Sequence, residues 1–151
     1  SKQNLFLPPN TWREMIKPLH TKIVEKAHEL GWLFVHHADC ICEPIATDMV
    51  DMGIDIWQGV IAQNDIVAIQ KATEGKLSMI GGIDGPKVDV DTVTDEEARA
   101  EVRRAVDTYC AAGRFFPGIP NGSCFIERID KAVKDELHNY GIQYAKEHPV
   151  A

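Results

Sequence analysis

Four short apolar runs, each leading into a polar or glycine-rich segment and separated from the next by a helical pattern, limit what this chain can fold into. They occupy residues 32–36 (Trp-Leu-Phe-Val-His), 54–58 (Ile-Asp-Ile-Trp-Gln), 76–80 running into Gly81 and Gly82, and 114–116 (Arg-Phe-Phe). Short runs bounded by turn residues read as strands, and the nearly unbroken apolar character of the first fits a strand covered on both faces. Helical signals fill the gaps. Thr11 and Glu14 have the spacing of a capping box, and Pro18 should kink that helix or start a second one over residues 18–30, where Leu19, Ile23, Ala27 and Leu30 share a face before Gly31. Ile45, Met49 and Met52 form a stripe ahead of Gly53, and Asn64 is placed to cap a helix reaching Glu74. Thr94 and Glu97 form a second capping box, opening a helix to Ala112 with Ala98, Val102, Ala105 and Tyr109 inward. A last helix over 125–148 is interrupted near Gly141.

Strands alternating with helices imply parallel pairing, because a strand returns parallel to its neighbour only over a covering layer. The fold class is therefore α/β: four parallel strand–helix units, half of a (β/α)8 TIM barrel, read as one unit over residues 1–151. Half a barrel leaves two strand edges open. The chain then needs a missing N-terminal half or a second copy as in a homodimer, or it closes as an open sheet. With 151 residues, 44% of them hydrophobic and 26% charged, one core is expected. Sixteen basic against twenty-three acidic residues, a net charge of −7 and no basic block argue against nucleic acid. No apolar run approaches the roughly 18 residues of a membrane span, and Ser-Lys-Gln-Asn-Leu-Phe lacks the pattern of a signal peptide, so a cytoplasmic location without membrane attachment is expected. Cys40, Cys42, Cys110 and Cys124 then read as thiols or thiolate ligands more than as a disulfide framework.

In parallel α/β architecture the loops after the strands emerge on one face. That face collects His36, His37, Asp39, Cys40 and Cys42 after the first strand and Gln58 after the second. Gly81, Gly82 and Asp84 follow the third, and Asn121, Ser123 and Cys124 the fourth. Imidazole, carboxylate and thiols within the segment 37–42 form a ligand set suited to zinc, which needs Cys124 from the fourth loop to complete it. The alternative is a hydrogen-bonded turn with Cys42 filling a packing gap. Gly81-Gly82-Ile83-Asp84 could admit a ligand close to the backbone with Asp84 as general base, or be a tight turn. Trp57 could line a ligand cavity beside Gln58 or serve packing. Cys110 reads as a packed thiol, and His20, His28, His138 and His148 as solvated imidazoles.

Residues 18–30, the segment Phe34-Val35-His36-His37-Ala38-Asp39-Cys40, Asp51-Met52-Gly53-Ile54-Asp55, Gln58 and Gly81-Gly82-Ile83-Asp84 together resemble the C-terminal half of the uroporphyrinogen decarboxylase superfamily. That group comprises the decarboxylases and the zinc methyltransferases that serve corrinoid proteins and thiol acceptors, all built on eight-stranded barrels. The methyltransferase branch is similar in having His-x-Cys after the fifth barrel strand and a distal Cys after the eighth. His37 matches the His, Asp39 stands where the first Cys would be, Cys40 stands where a Gly usually follows, and Cys124 lies in the loop of the distal ligand.

The resemblance implies a metal held by His37, Asp39, Cys40 and Cys124, with Asp84 and Gln58 catalytic and Gly81, Gly82, Trp57 and Asn121 on the substrate. The expected activity is methyl transfer to or from a corrinoid protein or a thiol, with zinc as cofactor. Two alternatives stand beside it: uroporphyrinogen decarboxylation, and an inactive half-barrel that self-associates. The decarboxylase branch has a Gly-His-Gly element after the last strand, and residues 118–124 contain no His.

Overall fold

The computed structural model describes residues 4–149. Helices α1 (Pro9–Met15) and α2 (Lys17–Glu29) precede β1 (Val35–His37), α3 (Ala46–Asp51), β2 (Ile56–Val60), α4 (Ile66–Ala72) and β3 (Ser78–Gly82). A short α5 (Gly85–Val88), α6 (Asp95–Tyr109), β4 (Phe115–Gly118), α7 (Glu127–Glu136) and α8 (Ile142–Glu147) complete the chain. The four strands form one sheet in the order β1-β2-β3-β4, every pair parallel. This is the α/β arrangement expected of half a barrel.

Strand register explains where the core sits. His36, Trp57, Met79 and Phe115 align across the sheet; Trp57 and Met79 are fully buried and Phe115 nearly so. With alternation along each strand, Trp57, Met79 and Phe115 of this row pack with Met49, Ile66, Ile69, Val102, Val106, Ile129 and Val133 in one continuous core, and His36 at the edge is half-buried. The alternate row, His37, Gln58, Ile80 and Phe116, is less covered, and Phe116 is 57% exposed. The His36 ring meets His20 edge-on at 5.1 Å, and its pKa is lowered to about 4 by burial and by the neighbouring imidazoles of His20 and His37.

Several local expectations shift. The first helix starts at Pro9 rather than at a Thr11 capping box, because Pro at the first turn sacrifices no needed N–H. Pro18 does sit in the first turn of α2. The capping box at Thr94 forms in full, and the final helix changes pitch over 137–141. Asp65, not Asn64, caps α4, accepting from Ala68 N at 2.9 Å. Asn64 is buried instead: its amide oxygen accepts from Cys42 N and Glu43 N, and its NH2 donates to the carbonyls of Cys40 and Ile61.

The largest correction concerns β1. It is an edge strand and not one covered on both faces, with Val35 52% exposed; Leu19 (62%) and Ile23 (59%) of α2 are equally open. Only Val24 of α2 is buried, so the apolar stripe of that helix does not face this chain's core. Both the β1 and the β4 edges carry unpaired backbone groups and adjacent apolar side chains, the condition of a barrel that is half present.

The N-terminal helices are tied down by a buried carboxylate. Asp48 of α3 accepts from Arg13 Nε at 2.9 Å and Lys17 Nζ at 2.7 Å, and its side chain is only 7% exposed. Burial by itself raises the Asp48 pKa, but the hydrogen bonds from Arg13 and Lys17 and the charges behind them outweigh it and hold the carboxyl below its ordinary value. A carboxylate with a depressed folded-state pKa stabilises above its unfolded pKa, and that contribution is lost as pH falls through the folded value. Asp48→Asn should therefore cost about 1–3 kcal/mol in urea denaturation at neutral pH, and the gap from wild type should close below about pH 4.

Candidate active site at the carboxyl ends of the strands

Because the strands are parallel and in sequence order, their carboxyl ends lie at one rim. His37 at the end of β1 makes a 2.5 Å hydrogen bond through Nδ1 with Gln58 Oε1 on β2, and Gln58 Nε2 donates to Pro120 O at 2.8 Å in the loop after β4. Gln58 lies within β2 and not after it, and two side chains thus tie the end of β1, β2 and the loop after β4 together. The ring of His37 rests over Gly59, where an added Cβ would come within 2.9 Å of its Cε1.

Next to this bridge lies a cavity of about 260 Å³ lined by Ile41, Ile61, Gln63, Ile83, Asp84 and Asn121, with Pro120 and Pro86 among its remaining walls. Gln63 Nε2 donates to Asp84 Oδ1 at 3.2 Å. The wall is otherwise largely aliphatic, so a carboxylate and two amides are its main polar features.

Asp84 is held in place from below by an ion pair that α6 buries. The Glu101 side chain is 1% exposed; its Oε1 accepts from Asp84 N at 3.0 Å and from Arg104 Nη2 at 2.6 Å, and its Oε2 from Arg104 Nε at 2.9 Å and Lys87 Nζ at 3.3 Å. Arg104 also donates to Gly82 O and to the Tyr109 hydroxyl. Burial raises the Glu101 pKa, but Arg104 and the Asp84 amide more than offset it, leaving the group below its ordinary value. A buried charge is tolerated when it is paired and hydrogen-bonded on all sides. Here the result is a fixed backbone from Gly82 to Asp84.

The sequence-predicted residues divide. His37, Gln58, Asp84 and Asn121 occupy the rim or its cavity. Trp57 does not: it is fully buried, and its indole N–H donates to Ala38 O at 2.8 Å, which makes it a packing residue that also anchors the loop after β1. Gly81 and Gly82 are bare for the protein's own sake. A Cβ on Gly81 would strike the Val60 carbonyl, and one on Gly82 would meet Phe115 Cζ at 2.7 Å. Gln63, Glu101 and Arg104 are not marked by any sequence motif, and Asn64 reads there as a helix cap and not as the buried anchor of the loop after β1. Glu101 could have been found, since an acid on the Ala98/Val102/Ala105 face of an amphipathic helix requires a partner.

The expected zinc donors are dispersed. Among the described residues no three His, Cys, Asp or Glu side chains form a group able to hold a metal ion. Cys40 Sγ lies 3.3 Å from Cys42 Sγ, and burial, followed by that contact, pushes the Cys42 thiol up. Cys124 is buried in the core; burial first, then the carboxylates of Asp89 and Asp130, push its thiol up to about 11. Zinc is held where several such donors converge on one point, and these do not form such a group. As arranged, the set does not fit a zinc ion.

No family model and no curated protein matches this chain. Among solved structures, a methyltransferase from Methanosarcina mazei is similar in fold, with 18% sequence identity and a TM-score of 0.67 over 89% of this chain. The chain covers 38% of that protein's length.

Two substitutions test the frame of the site. Glu101→Ala leaves Arg104 without its carboxylate and the Asp84 amide without its acceptor, and should cost about 3 kcal/mol in denaturant unfolding. Gly81→Ala combines a backbone clash with a φ of +141° that side-chain-bearing residues rarely adopt, and should lower the thermal midpoint more than Gly75→Ala, whose added Cβ meets nothing within 4 Å.

Proposed function

We propose that this chain supplies the last four strand–helix units of a methyltransferase-like barrel of the uroporphyrinogen decarboxylase superfamily, and that its rim serves methyl transfer to or from a corrinoid protein or a thiol. The observation that carries this reading is the ordered parallel sheet that sets His37, Gln58, Asp84 and Asn121 at one end. The fold shared with the M. mazei methyltransferase supports it. In this reading Asp84 accepts the proton of an incoming thiol, and Gln63 steadies its carboxylate through the 3.2 Å hydrogen bond. The aliphatic walls, Ile41, Ile61 and Ile83, suit a methyl group and exclude water from it. Zinc would activate a thiolate acceptor if bound, but the donors as placed do not converge, and no step here runs through it.

The two open edges ask for completion, by an N-terminal half or by a second copy of this chain. A cytoplasmic setting accords with that reading, and none of the described helices is long and apolar enough to cross a membrane. Residues 118–124 lack the histidine of the decarboxylase branch's Gly-His-Gly element, which favours methyl transfer over porphyrinogen decarboxylation.

The test is methyl transfer from methylcobalamin to a small thiol, followed by loss of the cobalt–methyl absorbance. Turnover above the protein-free blank is expected, falling at least about tenfold in Asp84→Asn, in line with the loss of a general base. No turnover together with no bound methylcobalamin overturns the reading. Sedimentation addresses the edges separately: a dimer supports pairing of two copies, and a well-behaved monomer rejects it.

A further inference from the structure

We infer that Gln58 is a positioning residue that locks His37 in the tautomer with its proton on Nδ1, leaving the Nε2 lone pair as the acceptor presented to a substrate hydrogen at the rim. The inference deepens the reading above and rests on it for the nature of that substrate, a thiol acceptor whose S–H proton goes to Asp84, so that His37 Nε2 receives a further N–H or O–H of the same molecule.

A side-chain amide has one accepting end and one donating end. The Pro120 carbonyl can only accept, so the end of Gln58 that lies 2.8 Å from it must be the NH2. Turning the amide over would set two oxygens against each other there. The other end, facing His37 Nδ1 at 2.5 Å, is then the oxygen, which also can only accept. The hydrogen between them therefore belongs to Nδ1. A neutral imidazole carries one N–H, so Nε2 keeps its lone pair.

Two backbone features hold the pair in this register. Gly59 makes room for the ring, since a Cβ there would approach Nδ1 to 3.0 Å and Cε1 to 2.9 Å. Ala38 N donates to Gln58 O at 3.0 Å, so the residues after β1 follow Gln58 as one piece. An imidazole in water favours the opposite tautomer, with the hydrogen on Nε2, which would turn the rim nitrogen from acceptor into donor. Gln58 thus selects which kind of group His37 can receive. His28 is a natural contrast in the same chain, because its Nε2, not Nδ1, is bonded to a carboxylate, Asp55 Oδ2 at 2.8 Å.

Nitrogen-15 NMR of the imidazole rings tests this without any substrate. At about pH 8.5, above the ordinary histidine range, the long-range nitrogen–proton correlation pattern identifies the protonated nitrogen of each ring. His37, assigned by the signal lost in His37→Gln, should show a protonated Nδ1 and a bare Nε2. Gln58→Leu, which has no acceptor, should return His37 to the Nε2–H form. Gln58→Glu should keep the Nδ1–H form, since a carboxylate still accepts. A wild-type His37 protonated on Nε2 overturns the inference, and so does an unchanged pattern in folded Gln58→Leu. The wild-type measurement decides even if that variant does not fold. Absence of methyl transfer with the Nδ1–H pattern present would count against the proposed reaction and leave the tautomer assignment standing.

Discussion

Parallel pairing of β1 through β4 in chain order is the constraint on which the rest of the molecule depends. An antiparallel strand anywhere in the sheet would carry its loop to the opposite rim and separate residues that now meet. The hydrogen bonds from His37 to Gln58 and from Gln58 to Pro120 span 21 and 62 residues of sequence, yet they require no long loop. The covering helices impose the parallel direction, since each returns the chain to the same end of the sheet. The helices that form the core are therefore also what assembles the rim.

The buried pair of Glu101 and Arg104 shows how a helix positions a loop across the sheet. An uncompensated carboxylate at that depth would be strongly unfavourable, and it persists because four donors converge on it: two from Arg104, one from Lys87 and the backbone N–H of Asp84. Removing both charged partners and refilling with apolar side chains could leave the helix as stable as before, but nothing would then hold the amide of Asp84. Its value lies in geometry more than in net free energy. Asp48 plays the corresponding part at the other side, drawing Arg13 and Lys17 onto α3, so that two otherwise amphipathic helices with few buried residues stay docked.

Most of the architecture was legible in the sequence because period and punctuation agreed. The capping box at Thr94, the break near Gly141 and all four strands appear near their expected places, displaced by one to three residues where pairing extends a strand past its apolar run. The rim was legible as a set of loops but not as a set of contacts. His37, Gln58, Asp84 and Asn121 were identifiable as polar residues after strands, whereas Trp57, Gly81 and Gly82 looked alike by position and turned out to serve packing. Sequence order shows which end a residue occupies and not which way its side chain turns. A register of one residue separates Trp57 from Gln58, and that step carries one into the core and the other to the rim. Cys124 illustrates the same limit: its loop is at the right end, but the side chain belongs to the core beneath α7.

The exposed stripe of α2 follows from the same reasoning carried to the edge of the sheet. Leu19 and Ile23 repeat at helical spacing, as buried residues do, yet they remain open, because among the described residues β1 is the edge of the sheet and no strand pairs beyond it. At the far edge, Val106, Phe115, Leu137, Ile142 and Tyr144 line a second apolar hollow beside β4. A surface with projecting aliphatic side chains at one parallel edge and an apolar hollow at the other suits continuation of the sheet in both directions. Eight strands is the count at which such a sheet closes with an interior just filled by side chains. The fourfold unit described here meets half of that requirement, and the rim residues of β1 and β4 would then lie beside strand ends that this chain does not itself supply.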